Sequence, residues 1–286
     1  TARTAGIPLN FILPIGIGLI VTFLLLINTT FAPSNGSKTP QASAVATMVP
    51  VLMAQQKPGV ISGPTGPSPY EVVHFWHKPF SKPGFAFGGN SGVFAETPNR
   101  ILVAQRGEYK LPDPIPATFQ GGFAGSIGVN VLSDVKGKRV WQNCLYELDA
   151  NGNATHVWTQ WDKLFEGTNG PHKIKISPYD PDKHVWVIDD ERQQIFKFTN
   201  DGKKLVQTIG TVNEHGADAT HFFRPTFMAW LPDGSFFVAD GYENTRVVKF
   251  DANGKYVTAW GQKGNPPNDT RPGYMNNVHG IAVAPR

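Results

Sequence analysis

Three stretches of this chain resemble one another at a spacing of about fifty residues, and that repeat limits the fold more than any other feature. They are "CLYELDANGNATHVWTQW" (144–161), "HVWVIDDERQQIFKFTNDGKKLVQTIG" (184–210) and "SFFVADGYENTRVVKFDANGKYVTAWG" (235–261). Each places an alternating strand before an Asn-Gly or Asp-Gly turn and another strand after it, which is a hairpin pattern. Turn positions Asp149, Thr199 and Asp251 lie 50 and 52 residues apart, and Asp189 and Asp240 lie 51 apart. Several short strands per unit at this period are the signature of propeller blades, so the sequence predicts an all-β fold.

The unit reads as four strands. The first is "PHKIKIS" (171–177), "PTFMAWL" (225–231) or "VHGIAVAP" (278–285). The second ends in Asp, as in "VWVIDD" and "FFVADG"; the third is "QIFKF" or "RVVKF"; the fourth is "KLVQTIG" or "YVTAWG". An earlier copy of the second strand, "RILVAQRG" (100–107), is separated from its third by a Gly- and Pro-rich insert at 108–140. The expectation is three blades and a fraction within 70–286. "NNVHGIAVAPR" (276–286) reads as a strand just beginning. A ring left open there would expose an edge, so the propeller is expected to continue beyond residue 286.

The other end of the chain reads differently. "IPLNFILPIGIGLIVTFLLLINTTFA" (7–32) carries no charge and is longer than the roughly 18–20 apolar residues that cross a bilayer. Arg3 precedes it, and no positive charge follows before Lys38. The expectation is one transmembrane helix within 1–32, with the later residues on the extracytoplasmic side, periplasmic or extracellular. A signal peptide, cleaved or uncleaved, is the competing reading. A linker rich in Pro, Gly, Ser and Ala follows at 33–69. Membrane and membrane-complex proteins are the partners this implies. Nucleic acid is not: the net charge is only +4, with no dense basic block. The single cysteine, Cys144, excludes an internal disulfide framework and a CxxC zinc site.

His172 and His279 hold the same place in their repeats, 107 residues or two periods apart; the intervening copy has Thr226 there. First strands line a propeller's channel. In a ring of six blades, alternate ones point inward about 120° apart, which leaves room for a third histidine near position 380. Three imidazoles with one open position make a catalytic zinc arrangement. Two of eight histidines also align by chance, and channel histidines also serve as hydrogen-bonding groups. Tyr242 follows Asp240-Gly241, and Arg106 stands at the position matching Gly241. Both belong to loops on one face, where a tyrosine serves as a base and an arginine holds a carboxylate. Rim packing and a surface ion pair are the structural alternatives. His221 reads as a loop cap, Asp189, Asp190 and Asp240 as turn ties, and Cys144 as core.

At these residues the sequence resembles the NHL-repeat propellers and, more narrowly, the peptidyl-α-hydroxyglycine α-amidating lyases. The matching stretches include "VAQRGE" (103–108), "GPHKIKIS" (170–177), "HFFRPTFMAW" (221–230), "FFVADGYENTRVVKF" (236–250) and "VHGIAVAP" (278–285). The resemblance implies six blades around a zinc held by three histidines, and cleavage of a peptide-like α-hydroxyglycine substrate into an amide and glyoxylate. His172 and His279 fall on the first two zinc histidines, Tyr242 on the catalytic tyrosine, and Arg106 on the first active-site arginine. The third histidine and second arginine belong to later blades. Phe223 and Glu243 stand where the animal enzyme has a disulfide, and Phe227 where it has Asp. Two functions therefore stand: a membrane-tethered zinc-dependent lyase, or a non-catalytic propeller acting as scaffold or interaction subunit of a membrane complex. A sugar-binding module would need an aromatic groove that no stretch supplies.

Overall fold

The structure is a computed structural model that describes residues 75–117 and 139–284, with residues 62–63, 66–67, 71, 73, 119, 122 and 124. The chain divides into two compact units, Thr1–Val72 and Val73–Arg286. Within the first, Ser62–Gly63 pairs antiparallel with Gly66–Pro67.

The second unit is all-β. Three four-stranded antiparallel sheets follow one another along the chain. The first comprises Asn90–Thr97, Arg100–Gln105, Leu145–Leu148 and Ala154–Val157. The second comprises Lys173–Ile176, Val185–Asp189, Gln194–Phe198 and Leu205–Ile209. The third comprises Pro225–Trp230, Phe236–Asp240, Arg246–Phe250 and Tyr256–Trp260.

Burial explains the sequence pattern of the second sheet. Val185 and Val187 pack with Ile174, Phe196 and Phe198 against Leu102, Leu145 and Trp158 of the first sheet's side. Their alternates Trp186, Ile188 and Ile195 pack against Met228, Trp230, Phe236 and Val248 of the third. A strand covered on both faces loses polar alternation, hence the run "VWVI". Trp186 and Trp230 meet across this interface at 6.1 Å between ring centroids. Fourth strands are only partly covered instead: Leu205–Ile209 alternates, and Val206 and Val257 are exposed.

Several expectations need correction. The segment at 108–140 is not purely an insert: Glu108–Lys110 and Arg139–Val140 pair, and Phe85–Phe87 completes a three-stranded sheet. Residues 278–284 form no strand, since among the described residues no strand pairs with them. The membrane helix, and with it the membrane partner and single-pass location, is not supported: among the described residues no helix is long and apolar enough to cross a membrane. The helix Thr159–Phe165 has seven residues, about 14 Å at the 3-10 rise, against a hydrocarbon core of about 30 Å. The stretch 7–32 itself lies outside the described residues.

Candidate functional site

Three side chains from separate parts of the chain converge. His172 precedes the first strand of the second sheet, Tyr242 follows the second strand of the third, and His279 lies in the segment after the third sheet. Tyr242 Oη lies 3.0 Å from His172 Nε2 and 2.8 Å from His279 Nε2. The two imidazole centroids are 5.1 Å apart.

Two glycines permit this approach. A side chain on Gly241 would place Cβ 1.6 Å from the Val278 carbonyl oxygen, so only glycine lets the His279 segment pass Tyr242. Gly170, at φ +82°, lets the loop before His172 lie against the Arg106 backbone, where a Cβ would be 3.0 Å from Arg106 Cα.

Thr226, wholly buried, lies between the histidines. Its carbonyl accepts from His172 Nδ1 at 3.2 Å, which fixes the tautomer and leaves the Nε2 lone pair toward Tyr242. Its hydroxyl lies 2.8 Å from the Val278 carbonyl and 3.1 Å from that of Ala239.

Arg106 joins the group through Asp190. Arg106 Nη2 donates to Asp190 Oδ1 at 3.2 Å, and Arg224 Nε and Nη2 donate to Oδ2 at 3.1 and 2.6 Å. The Arg224 guanidinium covers the Tyr242 ring at 4.6 Å. Asp190 therefore anchors two arginines rather than tying a turn; Asp189 does tie one, accepting from the Glu191 and Arg192 amides.

Electrostatics follow from burial. His172 is lowered to about 4, chiefly by burial, with Arg106 and His279 adding to the effect and Asp190 opposing it. It is neutral at physiological pH, as a metal ligand must be. Tyr242 is raised, first by burial and then by Asp190, with Arg106 and Arg224 opposing.

The donor set fits a metal ion. Two imidazole nitrogens face one point, and one imidazole has its other nitrogen on a carbonyl, the usual outer support of a metal-binding histidine. The sequence missed Arg224. It also missed a second group: Asp180, Asp182 and His184 each offer a ligand atom within 4.8 Å of the others, consistent with a partial metal site. The Asp-x-Asp-x-His spacing was the available signal. Asp180 is already occupied, accepting from the Asp182 amide and from His184 Nδ1 at 2.7 Å.

The remaining positions are structural. His221 ties its loop through Asp218, Cys144 is core, and Asp240 holds Arg246 and the Phe223 amide. Phe223 stacks on His215 at 4.4 Å. Phe227 receives the ammonium groups of Lys173 and Lys175, each 4.5 Å from its ring.

No family model matches the chain. It is distantly homologous to peptidylglycine and peptidyl-α-hydroxyglycine amidating proteins. "Peptidylglycine alpha-amidating monooxygenase" of Rattus norvegicus is 29% identical over 240 residues, covering 80% of this chain and 22% of that protein. "Peptidyl-glycine alpha-amidating monooxygenase B" of Xenopus laevis is 35% identical over 198 residues, covering 68% of this chain and 20% of that protein. "Peptidyl-alpha-hydroxyglycine alpha-amidating lyase 1" of Drosophila melanogaster is 39% identical over 95 residues, covering 32% and 17%. The chain thus spans only 22%, 20% and 17% of these three relatives. Among solved structures, a protein of unknown function from Bacteroides thetaiotaomicron aligns at TM-score 0.37 and 20% identity, covering 69% of this chain and 65% of that one. Virginiamycin B lyase from Staphylococcus aureus aligns at 0.32 and 15%, covering 63% and 57%.

Proposed function

We propose that the chain is a lyase-like all-β domain, its three sheets acting as successive blades, in which His172 and His279 bind zinc and Tyr242 handles a substrate proton. The membrane tether has no part in this reading. The observation that carries it is the convergence of both imidazole Nε2 atoms on Tyr242 Oη, at 3.0 and 2.8 Å. A third protein ligand and the substrate would complete the coordination.

The reaction that fits is C–N cleavage of an N-acyl-α-hydroxyglycine. Bound zinc would supply positive charge that favours tyrosinate and polarises a substrate oxygen. Tyr242 then takes the hydroxyl proton. The freed oxygen electrons form the aldehyde carbonyl of glyoxylate as the C–N bond breaks. The departing amide nitrogen recovers the proton from Tyr242, giving the amide. Arg106, steadied by Asp190, faces the substrate carboxylate.

A second reading, a non-catalytic interaction domain, is favoured by the way the three side chains satisfy one another: Tyr242 Oη already lies within hydrogen-bond distance of both imidazole Nε2 atoms. One pair of measurements separates the two: zinc titration by calorimetry, and glyoxylate release from α-hydroxyhippurate. One zinc per chain, lost in H172A and H279A, with turnover that Y242F lowers at least about a hundredfold, supports the lyase. Zinc binding without glyoxylate leaves the interaction domain. Stoichiometric zinc that persists in both histidine variants sinks the metal assignment.

A further inference from the structure

We propose that Arg224 contacts ligand directly, and that with Arg106 on the shared Asp190 anchor it forms a subsite for a small monocarboxylate beside Tyr242. The inference rests on the lyase-like reading for its location, and its chemistry is that of two guanidiniums on one carboxylate.

The cluster is built rather than incidental. The Asp190 side chain is fully buried, while those of Arg224 and Arg106 keep 31% and 21% exposure. The Asp190 and Glu191 carboxylates both act on Arg224 and balance the two guanidiniums, so the cluster's exposed side offers N–H donors rather than excess charge. Arg224 spends Nε and one Nη2 hydrogen on Asp190, which leaves its Nη1 pair and a second Nη2 hydrogen. Arg106 spends a single Nη2 hydrogen there. A planar fork with free parallel donors matches a single carboxylate.

The backbone gives independent support. Arg224 has φ +63°, a left-handed conformation that costs a long side chain energy and costs glycine none. The conformation is held from three sides. The Arg224 amide donates to Gln193 Oε1 at 2.7 Å, and its carbonyl accepts from the Gly241 and Tyr242 amides at 3.3 and 3.2 Å. Local structure alone would favour glycine here. The guanidinium that replaces it is placed over the Tyr242 ring, next to where the substrate hydroxyl would sit.

The test uses hippurate, which carries the carboxylate but lacks the reactive hydroxyl, and hippuramide, which has a neutral amide in its place. Binding is measured by calorimetry on the full chain, with and without zinc, for wild type, R224Q and R224G. R224G relieves the backbone and so serves as the folding control. Wild type is expected to prefer hippurate. Both variants are expected to lose about tenfold or more in hippurate affinity while hippuramide binds unchanged. An unchanged hippurate-to-hippuramide ratio in the variants overturns the proposal, as does equal loss of both probes. The two readings separate cleanly. Arg224-dependent preference in protein that binds no zinc keeps this subsite and removes the metal assignment. Zinc binding with a ratio indifferent to Arg224 does the reverse.

Discussion

Thr226 shows how a residue with no chemistry of its own sets the site. In the repeat it occupies the place where its neighbours carry histidine. In space it joins them: its carbonyl holds the His172 ring and its hydroxyl reaches the Val278 carbonyl next to His279. Replacing it with valine keeps the shape and removes the hydroxyl. T226V is expected to lower stability by about 1–2 kcal/mol in urea titration and to weaken zinc binding without changing its stoichiometry. Unaltered zinc affinity would show that the hydroxyl does not position His279.

Asp189 carries a second residue-scale consequence. Burial raises it to about 7, with Asp190 adding to the shift and the Arg192 amide and Thr168 hydroxyl opposing it. Its protonated form suits its surroundings. The Thr168 hydroxyl lies 2.8 Å from Asp189 Oδ2 and 3.0 Å from the Phe165 carbonyl, and it accepts from the Gly170 amide at 2.9 Å. One hydroxyl hydrogen cannot serve both oxygens, so a proton on Asp189 completes the set. A carboxyl with a raised folded pKa binds its proton more tightly folded than unfolded. Its contribution therefore falls as pH rises from about 4 to about 7. D189N, which mimics the protonated form, is expected to flatten that part of the stability profile. Parallel urea midpoints from pH 4 to 8 would contradict this.

At the scale of elements, the segment 276–284 holds His279 without belonging to a ladder. Gly241 lets it pass close to the third sheet. In G241A the new Cβ meets the Val278 oxygen, and the loosely held segment rather than the sheet gives way. The expected result is zinc affinity down by about tenfold or more with the main unfolding transition nearly unmoved. A large loss of stability instead would place the segment within the cooperative core.

The legibility of these elements follows from how each is stabilised. Residues 185–189, 194–198, 236–240 and 246–250 were readable because their burial imposes apolar runs flanked by turn residues. Asn90–Thr97 was not read, since its half-exposed pattern and two register shifts blur the alternation. Residues 278–284 carry a strand pattern, but a strand also needs a paired neighbour, and among the described residues none pairs with them. His172, Tyr242, His279 and Arg106 could be singled out from their places in the repeat. Arg224 and the Asp190 clamp could not, because nothing local marks an ion pair formed across 34 and 84 residues. The expected 7–32 helix rests on hydropathy and flanking charge; that stretch lies outside the described residues, among which no helix is long and apolar enough to cross a membrane.

At the scale of the molecule, the second sheet is the keystone, because apolar clusters cover both its faces. Phe198 is fully buried and touches the rings of Trp158, Trp161 and Phe196. F198A is expected to cost about 3–5 kcal/mol and to loosen the packing of the second sheet against the first. V257A, at a 51% exposed position on the third sheet's fourth strand, is expected to change stability by less than about 0.5 kcal/mol. Similar losses for the two, measured by chemical denaturation, would argue against a core centred on the second sheet.

The Trp186–Trp230 contact gives that interface an optical signature. Two indoles held close and tilted 57° to one another, one from each sheet, are placed to couple their ultraviolet transitions. Loss of that coupled signal in near-ultraviolet circular dichroism would register separation of the second and third sheets with no label attached. The same signal, followed during a ligand titration, would tell a docked pair of sheets from a parted one.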